Sequence, residues 1–160
     1  MEKETLKNIM HFLEKEDNKS SVKWKLLNNE PLTEEDLDVN GDLDVKGDLD
    51  LDGSEIRTLP EGLKVGGYLS LAATKITSLP KGLTVGGFLS LAHSDIESLP
   101  EGLEVEGSLN LSHCKEITSL PKGLYVGWDL NIKDSNLQKY TDDELKKMIK
   151  PGSIEWRIIR

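Results

Sequence analysis

Several things this chain lacks narrow what it can be. Cys114 is its single cysteine, which excludes an internal disulfide framework and a four-thiolate zinc site and leaves the redox compartment open, with a lean toward reducing. With 14 glycines and 6 prolines in 160 residues, the chain is too poor in both for a low-complexity, disordered composition. No apolar run approaches the roughly 18 residues of a membrane span, and the polar opening Met1 to Thr5 does not read as a secretory signal. There is no phosphate-cradling GxxxxGK[ST] motif, no dinucleotide fingerprint and no Ser-His-Asp order. What remains is 36% hydrophobic and 31% charged, enough apolar matter for one folded domain with a small appendage at either end.

Charge is distributed unevenly. The net charge is −9, and residues 31–55 alone hold ten acids against Lys46, so the rest of the chain is neutral. Such a field repels nucleic acid and anionic membranes and attracts a basic protein surface. The expected partner is therefore a protein, with no direct contact to nucleic acid or membrane, and the expected location is the cytoplasm.

Against these absences stands a repeat. Leu59-Pro60, Leu79-Pro80 and Leu99-Pro100 recur at a period of twenty, and Leu120-Pro121 follows after one inserted residue. Within one unit the aliphatics Val65, Leu69, Leu71, Ile76, Leu79 and Leu83 do not fit helical spacing. Leu69-Ser70-Leu71 alternates as a half-buried strand does, while Gly66, Gly67, Pro80 and Gly82 punctuate the return path. Each unit reads as one turn of a coil, its strand pairing in parallel with the next about 4.8 Å away. Five such strands begin at 49, 69, 89, 109 and 130, for a stack on the order of 24 Å. One turn cannot bury its own apolar side, so stability depends on neighbours and on sealed ends.

Both ends read as caps. Leu6, Ile9, Met10 and Leu13 recur at helical spacing over 2–16, and Val22, Trp24, Leu26 and Leu27 extend the apolar segment. Residues 39–51 carry a six-residue period that suggests an abbreviated lead-in turn. Thr141 and Glu144 form a capping box ahead of Leu145, Met148 and Ile149, and Pro151-Gly152 stops that helix. In the run that follows, Ile154, Trp156 and Ile158 are expected to face inward. The predicted organisation is a helical N-terminal cap over 1–30, a repeat solenoid over 31–138 and a helix-plus-strand C-terminal cap over 139–160.

The pattern Leu-x-Leu-x-x-Thr-x-Ile-x-Ser-Leu-Pro at 69–80 resembles the leucine-rich-repeat consensus, and its Leu-Pro ending is similar to the short repeats of secreted bacterial effectors. The form LPxGLxVGGxLxL is also similar to repeats in phage and bacterial proteins, which for a phage-encoded chain would mean the host cytoplasm. The resemblance covers about residues 43–138. The consensus asparagine is replaced by Ser54, Thr74 and Ser94, whose hydroxyls can serve the same backbone carbonyls. The ligase domain attached to some effector repeats is not expected here, since only residues 139–160 stand after the last turn. What the resemblance implies is a non-catalytic binding scaffold.

The side chains between and beyond the paired leucines should form columns on the outer face of the strand ladder. Tyr68 and Phe88 pair there among Ser70, Ser90, Asn110 and Asn131, and these six residues are the expected partner-binding surface. A second reading is an acidic decoy, in which Asp42, Asp44, Asp48, Asp50 and Asp52 fill the basic groove of a nucleic-acid-handling protein. Asp48, Asp50, Asp52 and Gly53 match the first half of a calcium loop. The bidentate acid of its twelfth position falls on Leu59, however, and acids alternating along a strand stand about 6.6 Å apart, so a solvated acidic face is the better reading. His93 and His113 occupy equivalent places in adjacent turns next to Cys114, but two imidazoles lack the remaining ligands of a zinc site. No catalytic residue, metal site or cofactor is expected.

Overall fold

A computed structural model describes residues 22–28 and 43–160. The helix expected over 2–16, the start of the lead-in at Val39 and the acidic Asp42 lie outside those residues. The chain winds into a β-solenoid whose stacked coils contribute two short strands each, giving two six-stranded parallel ladders. One, the leucine ladder, joins β2 (Leu49–Asp50), β4 (Leu69–Ser70), β6 (Leu89–Ser90), β8 (Leu109–Asn110), β10 (Leu130–Asn131) and β12 (Ile158–Ile159). Its register sets leucine on leucine, Leu49 beside Leu69, Leu89, Leu109 and Leu130. All five expected strands are present.

The second ladder was not expected. Lys64-Val65, just ahead of the glycines that punctuate the return path, is a strand of the valine ladder: β1 (Asp44–Val45), β3 (Lys64–Val65), β5 (Thr84–Val85), β7 (Glu104–Val105), β9 (Tyr125–Val126) and β11 (Ser153–Ile154). The reason lies in the bend between the two strands of a coil. A Cβ on Gly66 would stand 2.7 Å from the Lys46 carbonyl oxygen, and one on Gly87 2.9 Å from the Gly67 carbonyl. Glycine lets neighbouring backbones close to sheet distance at the corner, so both flanking dipeptides reach their partners.

Two further corners complete each coil. After the leucine strand the chain passes through the left-handed region at Gly53, Ala73, His93, His113 and Asp134, with φ between 54° and 64°. After each Leu-Pro a tight turn follows. In the turn from Pro100 to Leu103 the Leu103 N–H donates to the Pro100 carbonyl, and Gly102 has φ 69°, the positive value that a type II turn demands at its third residue.

All six aliphatics expected to be buried in the unit, Val65, Leu69, Leu71, Ile76, Leu79 and Leu83, belong to one continuous core. The inserted residue falls between Cys114 and Ile117, both buried, and leaves the strand register intact. Helix α1 (Val22–Leu27) sets Val22 and Leu26 against this core, and helix α2 (Asp142–Met148) buries Leu145 in it. The Thr141–Glu144 capping box forms as expected. The final coil then supplies β11 and β12 and so extends both ladders.

Trp156 corrects the expected inward alternation of the last run. Ile154 is buried and Ile158 half-buried, but Trp156 is 65% exposed. The inward residues of the two strands are four apart, as Val65 and Leu69 are in the earlier coils, and the residues between them belong to the bend. Trp156 therefore stands level with Trp128, at the place that Gly107 holds one coil earlier.

Candidate functional site

The outer face of the leucine ladder is built by alternation. Between the inward Leu69 and Leu71 the side chain of Ser70 must point away from the core, and the same holds in every coil. Register then aligns Asp48, Tyr68, Phe88, Ser108, Asp129 and Arg157 in one column, and Asp50, Ser70, Ser90, Asn110, Asn131 and Ile159 in the next. A third column runs Asp52, Ala72, Ala92, Ser112 and Lys133.

These columns differ in relief. Tyr68 and Phe88 stand 37% and 40% exposed, whereas Ser70 and Ser90 are only 8% and 5% exposed. Asn110 and Asn131 are half-buried, and each side-chain oxygen accepts the backbone N–H two residues on, from Ser112 and Lys133. The six predicted binding residues thus share one face, with the aromatics raised and the serines lying low between columns.

The first coil gives this face an acidic edge. Asp48, Asp50 and Asp52 are exposed, and each uses its Oδ1 to complete backbone bonding. Asp48 accepts from the Tyr68 N–H at 2.9 Å, Asp52 from the Ala72 N–H at 2.8 Å, and Asp50 from the Asp52 N–H at 3.1 Å. Asp44 lies elsewhere, in register with Lys64 on the valine ladder, so the described acids expected to form one patch are divided between two faces. At the far edge Arg157 donates to Asp129 through its backbone N–H, Nε and Nη2, the last at 2.8 Å. That guanidinium holds the Asp129 carboxyl below the ordinary carboxylate range, and the carboxylate raises Arg157 in return.

A feature the sequence reading missed is the indole pair. Trp128 and Trp156 stack with centroids 5.8 Å apart and planes within 11°, and Trp128 is 58% exposed. Its signal was present as two copies of one motif, Val126-Gly-Trp-Asp-Leu130 and Ile154-Glu-Trp-Arg-Ile158.

His93 and His113 do stand together, their rings 4.2 Å apart and nearly parallel, and His113 Nε2 lies 3.7 Å from Asp134 Oδ2. Cys114 faces the other way. It is fully buried and continues a column of small polar side chains that bond the coil's own carbonyls: Ser54 to Leu51, Thr74 to Leu71, Ser94 to Leu91 and Ser135 to Ile132, all at 2.6–2.7 Å. The thiol donates to the Leu91 carbonyl of the preceding coil at 3.0 Å, and burial pushes its pKa up, away from the reactive thiolate. Among the described residues no group of three His, Cys, Asp or Glu side chains is placed to hold a metal ion.

Concavities among the described residues lie off this face. A cavity of about 780 Å3 separates Leu26 and Leu27 of α1 from Ile56, Arg57 and Pro60 of the first coil. A cleft of about 250 Å3 runs over the glycine bend of the valine ladder, between Asp44, Lys64, Glu104 and Glu106. Comparison with protein-family models, with curated proteins and with solved structures returned no match.

Proposed function

We propose that this chain is a non-catalytic protein-binding module of leucine-rich-repeat type, working in the cytoplasm, whose helical ends seal the solenoid. The observation that carries this reading is the pair Tyr68 and Phe88, two large apolar side chains exposed on adjacent rungs of a regular face. Exposed aromatics beside small neighbours are what protein interfaces use as anchors, because they bury much area for few rotatable bonds. Repeat scaffolds offer their ladder faces to partners in this way. The decoy reading draws less support, since Asp44 stands on the other ladder and three of the remaining carboxylates each give one oxygen to the backbone.

The test is capture from host extract with the wild-type chain and with Tyr68→Ala/Phe88→Ala, read by mass spectrometry beside melting curves. Proteins retained by the wild type and lost by an equally stable double variant support the module. Identical retention by both removes it.

A further inference from the structure

Two features of the leucine-ladder face keep hydrogen-bonding or charge capacity that no described residue uses, and they adjoin. The first is the acidic row. The described ion pairs go to Glu55, Asp129, Asp134 and Asp142, and none reaches Asp48, Asp50 or Asp52. Each of these three has spent one oxygen on a backbone N–H, leaving the second facing solvent with its charge uncompensated by any described cation. The second is the serine floor. Ser70 and Ser90 are more than nine-tenths buried, and neither hydroxyl has a hydrogen-bond partner among the described residues, although neither is wholly sealed from solvent. By contrast, the buried hydroxyls of Thr74, Ser94 and Ser135 on the other side of the coil all donate to carbonyls. Reached by solvent and without a protein partner among the described residues, these two hydroxyls of Ser70 and Ser90 are free to bond a ligand.

The two features share a column. Asp50 is in register with Ser70, and Ser70 with Ser90, with Tyr68 and Phe88 raised on one side and the half-buried Ala72 and Ala92 on the other. We propose, resting on the protein-binding reading above, that this face takes an extended segment of a partner protein laid across the rungs. A lysine or arginine of that segment lies over Asp48, Asp50 and Asp52, an apolar side chain lies on Tyr68 and Phe88, and polar backbone groups meet the Ser70 and Ser90 hydroxyls. Rung spacing sets the ligand's own spacing. One to two rungs of about 4.8 Å separate the acidic row from the aromatics, so at about 3.3 Å per extended residue the cation and the apolar anchor stand about two or three residues apart. The sign of the row excludes an acidic segment, and its position at one end fixes the direction in which the ligand lies.

Selection of displayed short random peptides on the immobilised full-length chain tests this, with the same selection run on two variants. The expected enrichment is for lysine or arginine about two or three residues from an aromatic or aliphatic residue. On Tyr68→Ala/Phe88→Ala, the affinity of enriched peptides falls by about tenfold or more. On Asp48→Asn/Asp50→Asn/Asp52→Asn, the apolar preference persists and the cationic one disappears; asparagine keeps the oxygen that accepts each backbone N–H, so the fold is preserved. A second measurement needs no variant: the affinity of an enriched peptide for the wild type should fall as salt rises. Enriched peptides that lack a cationic bias, or whose binding ignores salt, overturn this proposal while leaving the aromatic face standing. Enrichment undiminished by loss of Tyr68 and Phe88 overturns the face itself, and no enrichment at all overturns the extended-segment ligand.

Discussion

The middle coils and the final coil are built on opposite terms. In the middle, the core residues rest on their own kind, leucine on leucine and valine on valine, at a separation of 20 residues. In the final coil the separation grows to 28 residues to admit a 3-10 turn at Asn136–Lys139 and helix α2, and there the contacts include unlike partners. Arg157 grips Asp129, and Arg160 bonds the Asp142 carboxylate and the carbonyls of Gln138 and Tyr140. Hydrocarbon stacks on itself without limit, because every added layer buries more of the layer beneath. Charge does not, so where charged columns occur they change sign between coils, as Glu55 beneath Lys75 does at 2.6 Å.

The widest gap between the two regions should appear in core truncation. Leu91→Ala removes a fully buried side chain touched by coils on both sides, at a cost of about 2–5 kcal/mol. Ile158→Ala, half-buried on the last rung, should cost about 1 kcal/mol. Urea unfolding of both variants measures the difference, and equal losses would mean that the final coil carries as much of the cooperativity as the middle.

The middle was far more legible in the sequence than the end, for a physical reason. Period, strand and core position are all set by apolar residues recurring at fixed intervals, so Leu69, Leu71 and Ile76 announced themselves. The valine ladder stayed hidden because Gly66 and Gly67 read equally as a loop, and only the close approach of neighbouring backbones makes a strand of Lys64-Val65. At the face, the aromatic pair followed directly from alternation. That Ser70 and Ser90 would lie low and that Asp48 would bond Tyr68 depended on packing between coils, which no single unit contains. Trp156 faces outward because the bend between the two strands of the last coil interrupts strict alternation.

Smaller effects distinguish the two sides of a middle coil. Thr74→Val keeps the shape of a buried side chain but removes its bond to the Leu71 carbonyl, and about 1 kcal/mol should be lost. Ser54→Ala, half-buried in the first coil, should lose less. Ala73→Gly should act in the opposite sense. Ala73 holds φ 54° on an exposed corner, a conformation that disfavours a Cβ by about 1–2 kcal/mol, while glycine's extra chain entropy returns about half of that. A net gain of about 0.5 kcal/mol in melting experiments is expected, and a loss would show that the corner is not strained.

The smallest effect belongs to the unlike pairs, and pH reveals it. Hydrogen bonds from Arg157, Lys75 and Thr141 lower the carboxyls of Asp129, Glu55 and Glu144 below the ordinary values of 3.8 for Asp and 4.5 for Glu. A carboxyl whose folded pKa lies below its unfolded one binds fewer protons in the folded state. Its stabilisation is therefore complete above the ordinary value and is lost as pH falls through the folded one. Glu55 and Glu144 face solvent, and the half-buried Asp129 pairs with an exposed guanidinium, so each interaction is screened and contributes little. Asp129→Asn should lower the melting temperature slightly at neutral pH, and its deficit against the wild type should close as the solution is acidified below about pH 4. A deficit that stays constant across that range would mean that Asp129 holds the last rung through geometry alone, with no contribution from its charge beside Arg157.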